Sequence, residues 1–156
     1  MNQTQMIDVG GKSTTQREAV AEGLIVMLAV TAKMVRDATL PKGNALETAR
    51  VAAIMAAKRT PDIIPLCHPL LISHASCEFD FAPDLDALPP DASTCIQART
   101  RVRCTGQTGV EMEALTAVSA ALLTIYDMTK GVDETLEIQS VRLMEKRGGK
   151  SGDFIR

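Results

Sequence analysis

Three segments of this sequence alternate apolar and polar side chains with the two-residue period of a β-strand, and this pattern limits the fold more than any other feature. The segments are residues 15–27, 70–81 and 94–105. A two-residue period places successive side chains on opposite faces of a sheet, so that one face can pack against a core. The pattern predicts a strand in each segment, although a helix is also compatible with the first. A last strand is predicted over residues 134–146.

Helical patterns lie between the first and second of these strands and between the third and fourth. Residues 28–37 predict a short helix. Asn44 is a good N-cap for a second helix over residues 45–59, whose Ala and Met content favours close packing. The third helix, over about residues 110–128, is the most apolar element. It should lie on the sheet through a stripe of four residues, Leu115, Val118, Leu122 and Ile125.

The elements follow the order strand, helices, strand, strand, helix, strand. This is the split βαβ order of ferredoxin-like sandwiches. We therefore expect an α+β fold, a ferredoxin-like sandwich with a four-stranded antiparallel sheet and helices packed on one face. The length of 156 residues, with 46% hydrophobic and 23% charged residues, predicts a single domain over residues 1–156. That fold carries many unrelated functions, so it leaves the chemistry undecided.

The composition argues against a nucleic-acid partner. The net charge is −2, and the chain contains three Phe, one Tyr and no Trp. A nucleic-acid binder needs a basic surface, and often aromatic side chains on which bases stack. Any phosphate group that this chain binds must therefore meet a local cluster of cations.

Membrane insertion and secretion are not expected either. The N-terminal residues 1–5 do not lead into a charged segment, an apolar run and a cleavage site. The apolar stretch 23–30 has about eight residues, whereas a membrane span needs roughly 20. A cytoplasmic protein is the expectation. The four cysteines include no Cys-x-x-Cys pair, and most are interpreted as small core residues.

A proline-rich segment, residues 58–69, contains the first candidate site residues. Three prolines surround the adjacent Cys67 and His68. A rigid backbone can hold His68 ready for acid/base chemistry, but these residues alone favour a hydrogen-bonded structural imidazole. Cys and His also bind zinc. No second ligand pair stands nearby at the usual spacing, so no metal site is predicted.

The apolar helix carries charged residues at both ends. Glu111 and Glu113 at its start either complement the helix dipole or contact a ligand. On a regular helix they point ~200° apart, so both can reach one ligand only if the first turn is irregular or the ligand lies across the helix end. Asp127 and Lys130 stand three residues apart near its end. They form either a surface ion pair or an acid/base pair in which the cation keeps the carboxylate ionised.

Glu113 and Asp127 share a face of this helix but not one end of it. They are 14 residues apart, which corresponds to about 21 Å along the helix. One compact site can use both carboxylates only if the ligand is long or a second subunit contributes. This separation is the main physical indication of an oligomer interface.

The C-terminal segment 146–154 places Lys146 and Lys150 among glycines. It superficially matches a phosphate-binding P-loop. That motif requires a glycine where Met144 stands and a helix after the loop, so a P-loop is rejected. We interpret the segment as a mobile tail, whose cations either solubilise the surface or fold over a phosphate.

Several longer motifs follow one another in a specific order along the chain. They are Ala56-Ala57-Lys58-Arg59-Thr60, Ile64-Pro65-Leu66-Cys67-His68-Pro69-Leu70, Thr108-Gly109-Val110-Glu111-Met112-Glu113-Ala114-Leu115-Thr116-Ala117, Leu123-Thr124-Ile125-Tyr126-Asp127-Met128 and Gly148-Gly149-Lys150-Ser151-Gly152-Asp153. Together they resemble the cyclic pyranopterin monophosphate synthases. With Ile7-Asp8-Val9, the resemblance extends from near the N-terminus almost to the end of the chain.

The resemblance implies a lyase of molybdenum cofactor biosynthesis. Its substrate would be 3',8-cyclo-7,8-dihydroguanosine 5'-triphosphate, and its products cyclic pyranopterin monophosphate and pyrophosphate. Members of the family have a ferredoxin-like fold and form homo-hexamers, trimers of dimers with the active site at the dimer interface. No cofactor is implied, although Mg²⁺ can accompany a triphosphate without dedicated protein ligands.

The resemblance also implies roles for individual residues. Asp127 would be the principal acid/base residue and Lys130 its partner, with Lys42 and His68 as further catalytic residues. Arg17 would bind phosphate. Substrate contacts are also implied for Leu66, Cys67, His68, Glu111, Met112, Glu113, Lys146 and Lys150.

The main alternative is a small-molecule binding module without turnover. Such a module would keep the cations but would make no special demand on Asp127. Asp127→Asn should then change affinity modestly, whereas in an enzyme the variant should bind the substrate and fail to convert it.

Overall fold

The structure, a computed structural model, describes residues 3–156. Met1 and Asn2 lie outside the described residues. The predictions of a single domain over residues 1–156 and of a polar N-terminal segment 1–5 include these two residues. Five strands form one sheet: β1 (Thr15–Leu28), β2 (Ile72–Phe81), β3 (Ser93–Gly106), β4 (Glu137–Arg147) and β5 (Phe154–Ile155). Four α-helices accompany them: α1 (Ala29–Arg36), α2 (Ala45–Lys58), α3 (Thr60–Ile63) and α4 (Glu111–Thr129), and a short 3-10 helix, Leu85–Ala87, lies between β2 and β3. The α+β class and the four long strands predicted from the sequence are confirmed.

The sheet is antiparallel throughout, with the strand order β2-β3-β1-β4-β5. The central strand β1 pairs with β3 along its whole length, from Thr15 opposite Gly106 to Leu28 opposite Ser93. On its other side β1 pairs with β4, where the register shifts twice. The first residues of β1 therefore lie beside the end of β3, where the chain turns into α4.

The predicted number of four strands is wrong, because β5 adds a fifth. Phe154 and Ile155 pair with Lys146 and Glu145 of β4. The chain can turn back there because the glycines at 148, 149 and 152 have φ values of 88°, 88° and 72°, a backbone region that glycine enters without a steric penalty. The segment predicted to be a mobile tail is thus a turn followed by a two-residue edge strand, too short to leave a periodic pattern in the sequence.

Helices α2 and α4 lie side by side on one face of the sheet. Asn44 caps α2 as predicted, since its side-chain oxygen accepts a hydrogen bond from the backbone N–H of Glu47 at 3.1 Å. The short helix α3 was not predicted. It begins at Thr60, whose hydroxyl donates to the carbonyls of Ala56 and Ala57 at the end of α2.

Small residues allow these layers to approach closely. The α2 face that packs inward consists of Ala45, Ala49, Ala53 and Ala57, each at most 1% exposed. Gly23 of β1 lies directly under α4, where an added Cβ would be 2.7 Å from Leu122 Cδ1. The predicted stripe of α4 is confirmed: Val118, Leu122 and Ile125 are fully buried, and Leu115 packs against the core.

The other face of the sheet carries charged side chains instead of helices. Glu22 of β1 is 6% exposed and accepts hydrogen bonds from Arg142 and Gln97. Glu18, four residues earlier on the same face, pairs with Arg101 and Arg103 of β3. Removing these carboxylates from water costs free energy, and their ion pairs with guanidinium groups offset that cost. Across residues 3–156, no helix has the length and apolar character that a membrane crossing requires.

Candidate functional site

Two adjoining cavities lie at the N-terminal end of α4. The first, about 360 Å³, is lined by several basic side chains, and we call it the cationic cavity. The second, about 380 Å³, is lined mainly by apolar groups together with His68 and Glu113, and we call it the apolar cavity. Four residues line both, Lys12, Thr108, Gly109 and Glu111. The two cavities therefore form one continuous depression around the start of the helix.

Arg17 lines the cationic cavity. It projects from β1, and its two terminal nitrogens donate to the carbonyls of Gly148 at 3.2 Å and Gln107 at 3.4 Å. Its Nε is buried and has no hydrogen-bond partner among the described residues. The C-terminal turn packs directly on this guanidinium, because a Cβ at Gly149 would overlap Arg17. The folded tail thereby fixes the position of the Arg17 charge.

Lys146 and Lys150 bring further positive charge to the same cavity. Lys146 Nζ lies 3.5 Å from Glu111 Oε1, so this lysine is paired across the cavity rather than free. The carboxylate of Glu111 packs over Gly109, where a Cβ would overlap it. The lining of the cationic cavity has five basic residues, with Lys12 and Arg147 beside the three named above, against two acidic ones, Glu18 and Glu111. This excess of positive charge suits an anionic ligand with several charges.

The apolar cavity contains the proline-rich segment that the sequence singled out. Its lining includes Leu66, Cys67, His68 and Met112, which the sequence assigned to substrate contact or catalysis. The turn after α3 presents Leu66, Cys67 and His68, and the backbone N–H of Cys67 donates to the Ile64 carbonyl at 3.1 Å. Met112 stands in the first turn of α4. Burial and the nearby Glu113 raise the pKa of the Cys67 thiol, so the group stays a thiol at neutral pH.

Glu113 is the buried carboxyl group of this cavity. It is 3% exposed, and its helical turn is held against β3 by a 2.8 Å hydrogen bond from the Thr100 hydroxyl to the Ala114 carbonyl. Burial and the neighbouring Glu111 raise the pKa of Glu113. A carboxyl group with a raised pKa can hold a proton and give it up within a site.

A separate cluster lies at the C-terminal end of α4. Lys42 Nζ is 2.9 Å from one carboxylate oxygen of Asp127, and Lys130 Nζ is 2.8 Å from the other. Lys42 also donates to the backbone carbonyl of Asp127 at 2.8 Å. Hydrogen bonds from the two lysines, that of Lys130 foremost, lower the pKa of Asp127 to about 2. Asp127 is therefore a carboxylate across the physiological pH range.

The predicted site residues thus fall into two groups within one chain. Arg17, Leu66, Cys67, His68, Glu111, Met112, Glu113, Lys146 and Lys150 line the adjoining cavities. Lys42, Asp127 and Lys130 stand at the other end of α4, about 21 Å away along the helix axis. Lys42, far away in sequence, is brought to Asp127 by the loop before α2.

Sequence reasoning missed some residues that line the cavities. Lys12 lines both of them, and Gln107 lines the cationic cavity. Neither carries a local signal, because Lys12 stands in a segment without periodicity and Gln107 in a turn. Over residues 3–156, the structure contains no group of three or more His, Cys, Asp or Glu side chains arranged to hold a metal ion.

A family model described as the MoaC family matches residues 6–149, a range that includes the lining of both cavities from Ile7 to Gly149 and the Asp127 cluster. The chain belongs to the MoaC family. Relatives named cyclic pyranopterin monophosphate synthase agree with this assignment. One from Chloroflexus aurantiacus is 56% identical over 152 residues, which cover 97% of this chain and 88% of the relative.

Other bacteria contain similar MoaC-related proteins of the same name. A relative from Chloroflexus aggregans is 54% identical over 97% of this chain and 87% of its own length. One from Pelotomaculum thermopropionicum is 51% identical over 99% of this chain and 86% of its own length. The matches thus extend over both ends of α4 and over the strands that carry Arg17 and Lys146.

Proposed function

We propose that this protein is a cyclic pyranopterin monophosphate synthase. It converts 3',8-cyclo-7,8-dihydroguanosine 5'-triphosphate to cyclic pyranopterin monophosphate and releases pyrophosphate, a step of molybdenum cofactor biosynthesis. The observation that carries the proposal is membership of the MoaC family together with 56% identity, over nearly the whole chain, to a relative of that name.

The cationic cavity is proposed to bind the phosphates. Formation of the cyclic phosphate requires a sugar-derived hydroxyl to attack the α-phosphorus while pyrophosphate leaves. Positive groups held at the developing negative charge lower the barrier of such a step. Arg17, Lys146 and Lys150 line this cavity, and Lys42 would act from the other cluster. Mg²⁺ could enter with the triphosphate through phosphate oxygens, without dedicated protein ligands.

Proton transfer is proposed for Asp127, Lys130, His68 and Glu113. Rearrangement of a purine-derived ring into a pterin requires protons to be removed and returned. Asp127 is the ionised acceptor, but a pKa of about 2 makes it a weak base while both lysines bind it. When a phosphate group attracts Lys42, the pKa of Asp127 rises and the carboxylate becomes a stronger base. Glu113, with its raised pKa, is suited to donate a proton.

We propose that two copies of the chain build each site. The Asp127 cluster of one copy would complete the cavities of another, since about 21 Å separates the two groups within one chain. Exposed apolar residues lie beside both groups. Leu123 and Tyr126 are 60% and 36% exposed near Asp127, and Leu66 is 45% exposed at the apolar cavity. Such residues are typical of protein interfaces.

The proposed assembly is a homo-hexamer, a trimer of dimers, in the cytoplasm. We also propose that residues 1–156 form one domain of the ferredoxin-like type. The order of the four long strands, β2-β3-β1-β4, supports this fold, with β5 as an added edge strand.

The test is incubation of the purified protein with the cyclic dihydroguanosine triphosphate, followed by pyrophosphate release and product mass. An Asp127→Asn variant is assayed beside it, and an unchanged melting temperature shows that the variant is folded. Conversion by the wild-type protein and its loss in the variant support the synthase. Tight binding without conversion by either protein would instead identify a binding module.

A further inference from the structure

Residues 3–13, which we call the N-terminal arm, form one wall of the site. Gln5, Ile7, Val9 and Lys12 line the apolar cavity, and Lys12 and Ser13 line the cationic cavity. The arm contains a tight turn in which the N–H of Lys12 donates to Val9 at 2.9 Å. Asp8 supports the turn by accepting from the N–H of Gly10 at 2.8 Å. Lys12 therefore has a defined place on the arm.

One side chain ties the arm to the rest of the described chain. The amide nitrogen of Gln107 donates to the carbonyl of Gly10 at 3.3 Å and to that of Lys12 at 3.1 Å. Among residues 3–156, these are the hydrogen bonds that join the arm to the fold. Most arm residues are exposed, so little buried apolar surface holds the arm in place.

Gln107 also connects the arm to Arg17. Its backbone carbonyl accepts a hydrogen bond from Arg17 at 3.4 Å, while its side chain holds the Lys12 carbonyl. The two cations, one on β1 and one on the arm, are thus placed by the same residue. A ligand with two or more phosphate groups can use both charges at once.

We propose that Lys12 is a phosphate-binding residue of this site and that Gln107 positions it through the N-terminal arm. The inference rests on the proposed function, because the phosphates are those of its substrate. Lys12 lines both cavities, whereas Arg17, Lys146 and Lys150 line only the cationic cavity of the two. It can therefore neutralise phosphate charge where the phosphate chain passes toward the ring. The ammonium group of a lysine is a compact charge on a flexible side chain, so it can reach phosphate groups in either cavity.

Direct binding of inorganic pyrophosphate, the released product, tests the role of Lys12. Isothermal titration calorimetry at low and high salt would compare wild-type protein with Lys12→Gln and with Lys58→Gln, an exposed lysine at the end of α2 outside the cavities. Loss of one charge-assisted contact should weaken binding about tenfold in Lys12→Gln and reduce its salt dependence. Lys58→Gln should bind like the wild-type protein.

The role of Gln107 requires a readout that a purely structural residue would not change. Gln107→Ala and Gln107→Glu both remove the amide donor, and we expect each to raise KM several-fold with kcat within about twofold, since the arm binds the phosphates without reacting. Gln97→Ala is the matched control, because it removes an amide donor from the Glu22 pair on the other face of the sheet.

Limited trypsin digestion reports on the arm itself. Lys12 is the first Lys or Arg of the chain, so cleavage there removes 12 residues and is visible by mass. Pyrophosphate should slow this cleavage in the wild-type protein, and Gln107→Ala should accelerate it without ligand.

The outcomes separate this inference from the proposed function. Equal pyrophosphate affinity of wild-type protein and Lys12→Gln, or no pyrophosphate binding at all, would overturn the role of Lys12. A wild-type cleavage rate in Gln107→Ala would overturn the role of Gln107. If pyrophosphate binds through Lys12 but the cyclic triphosphate is not converted, the inferred contact stands and the synthase assignment fails.

Discussion

Glu113 and Asp127 lie at opposite ends of helix α4, and their surroundings shift their pKa values in opposite directions. Burial raises the pKa of Glu113, whereas two lysines lower that of Asp127 to about 2. Carboxyl groups separated in this way can act as proton donor and proton acceptor in one reaction. The proposed site uses this difference by bringing the two ends of α4 from different copies together.

The buried Glu113 should make stability depend on pH in a defined direction. Its pKa is raised above the unfolded value of about 4.5, so its contribution to stability is fully present below that pH and is lost as pH rises through the folded pKa. Glu113→Gln cannot ionise, and we expect it to gain stability relative to the wild-type protein on going from pH 4 to pH 7.5. Urea unfolding at both pH values measures this, with the exposed Glu134→Gln as control. If the free energies of unfolding of Glu113→Gln and the wild-type protein differ by the same amount at both pH values, Glu113 does not have a raised pKa.

Lys130 should control the ionisation of Asp127. Its hydrogen bond is the largest cause of the lowered pKa, so Lys130→Gln should move the pKa of Asp127 from about 2 toward the ordinary 3.8. Carboxyl-carbon NMR titration of aspartate-labelled protein measures the shift. Lys33→Gln, which removes a lysine from α1 on another part of the fold, should leave that titration unchanged. An unshifted Asp127 in Lys130→Gln would exclude the direct pair.

Much of this arrangement is readable from the sequence because it depends on local pattern. Period-two alternation predicts three of the four long strands, β1, β2 and β3, and the cap at Asn44 predicts the start of α2. The spacing of Asp127 and Lys130 predicts their contact directly, since residues three apart on a helix are neighbours.

Other parts of the site depend on tertiary contacts that leave no local signal. Lys42 reaches Asp127 across 85 positions of sequence. The edge strand β5 has two residues, and its turn is specified by glycines that are equally typical of a mobile tail. The N-terminal arm has no periodicity, so only its attachment to Gln107 reveals that it lines the cavities.

The C-terminal turn should control anion binding through Arg17. A Cβ at Gly149 would overlap the Arg17 guanidinium, so Gly149→Ala should displace Arg17 and weaken pyrophosphate binding roughly tenfold. Gly152→Ala is a matched control: Gly152 also has a positive φ, of 72°, but nothing lies within 4 Å of an added Cβ. Both variants carry backbone strain, and only the first should lose affinity in calorimetric titration. Equal affinities would show that Arg17 does not depend on the turn.

Gly23 should be required for the packing of α4 on the sheet. An added Cβ would lie 2.7 Å from Leu122 Cδ1 and 3.0 Å from Val141 Cγ2, and Leu122 is fully buried. We expect Gly23→Ala to lower the free energy of unfolding by about 1–3 kcal/mol. Gly131→Ala, with nothing within 4 Å, should change it by less than about 0.5 kcal/mol. Denaturant unfolding measures the loss of stability in both variants. Similar losses in Gly23→Ala and Gly131→Ala would contradict the close packing of α4 on Gly23.

Complementation between two inactive variants tests most directly whether two copies build the site. His68→Ala alters one group of residues and Asp127→Asn the other, and the two chains would be co-expressed with different tags and purified together. In a mixed dimer one of two sites receives both intact groups, so random association should restore about a quarter of wild-type conversion. His68→Ala combined with Glu113→Gln, which alter the same group, should restore none. If the first pair stays as inactive as its separate members while assembling normally, the shared site is wrong.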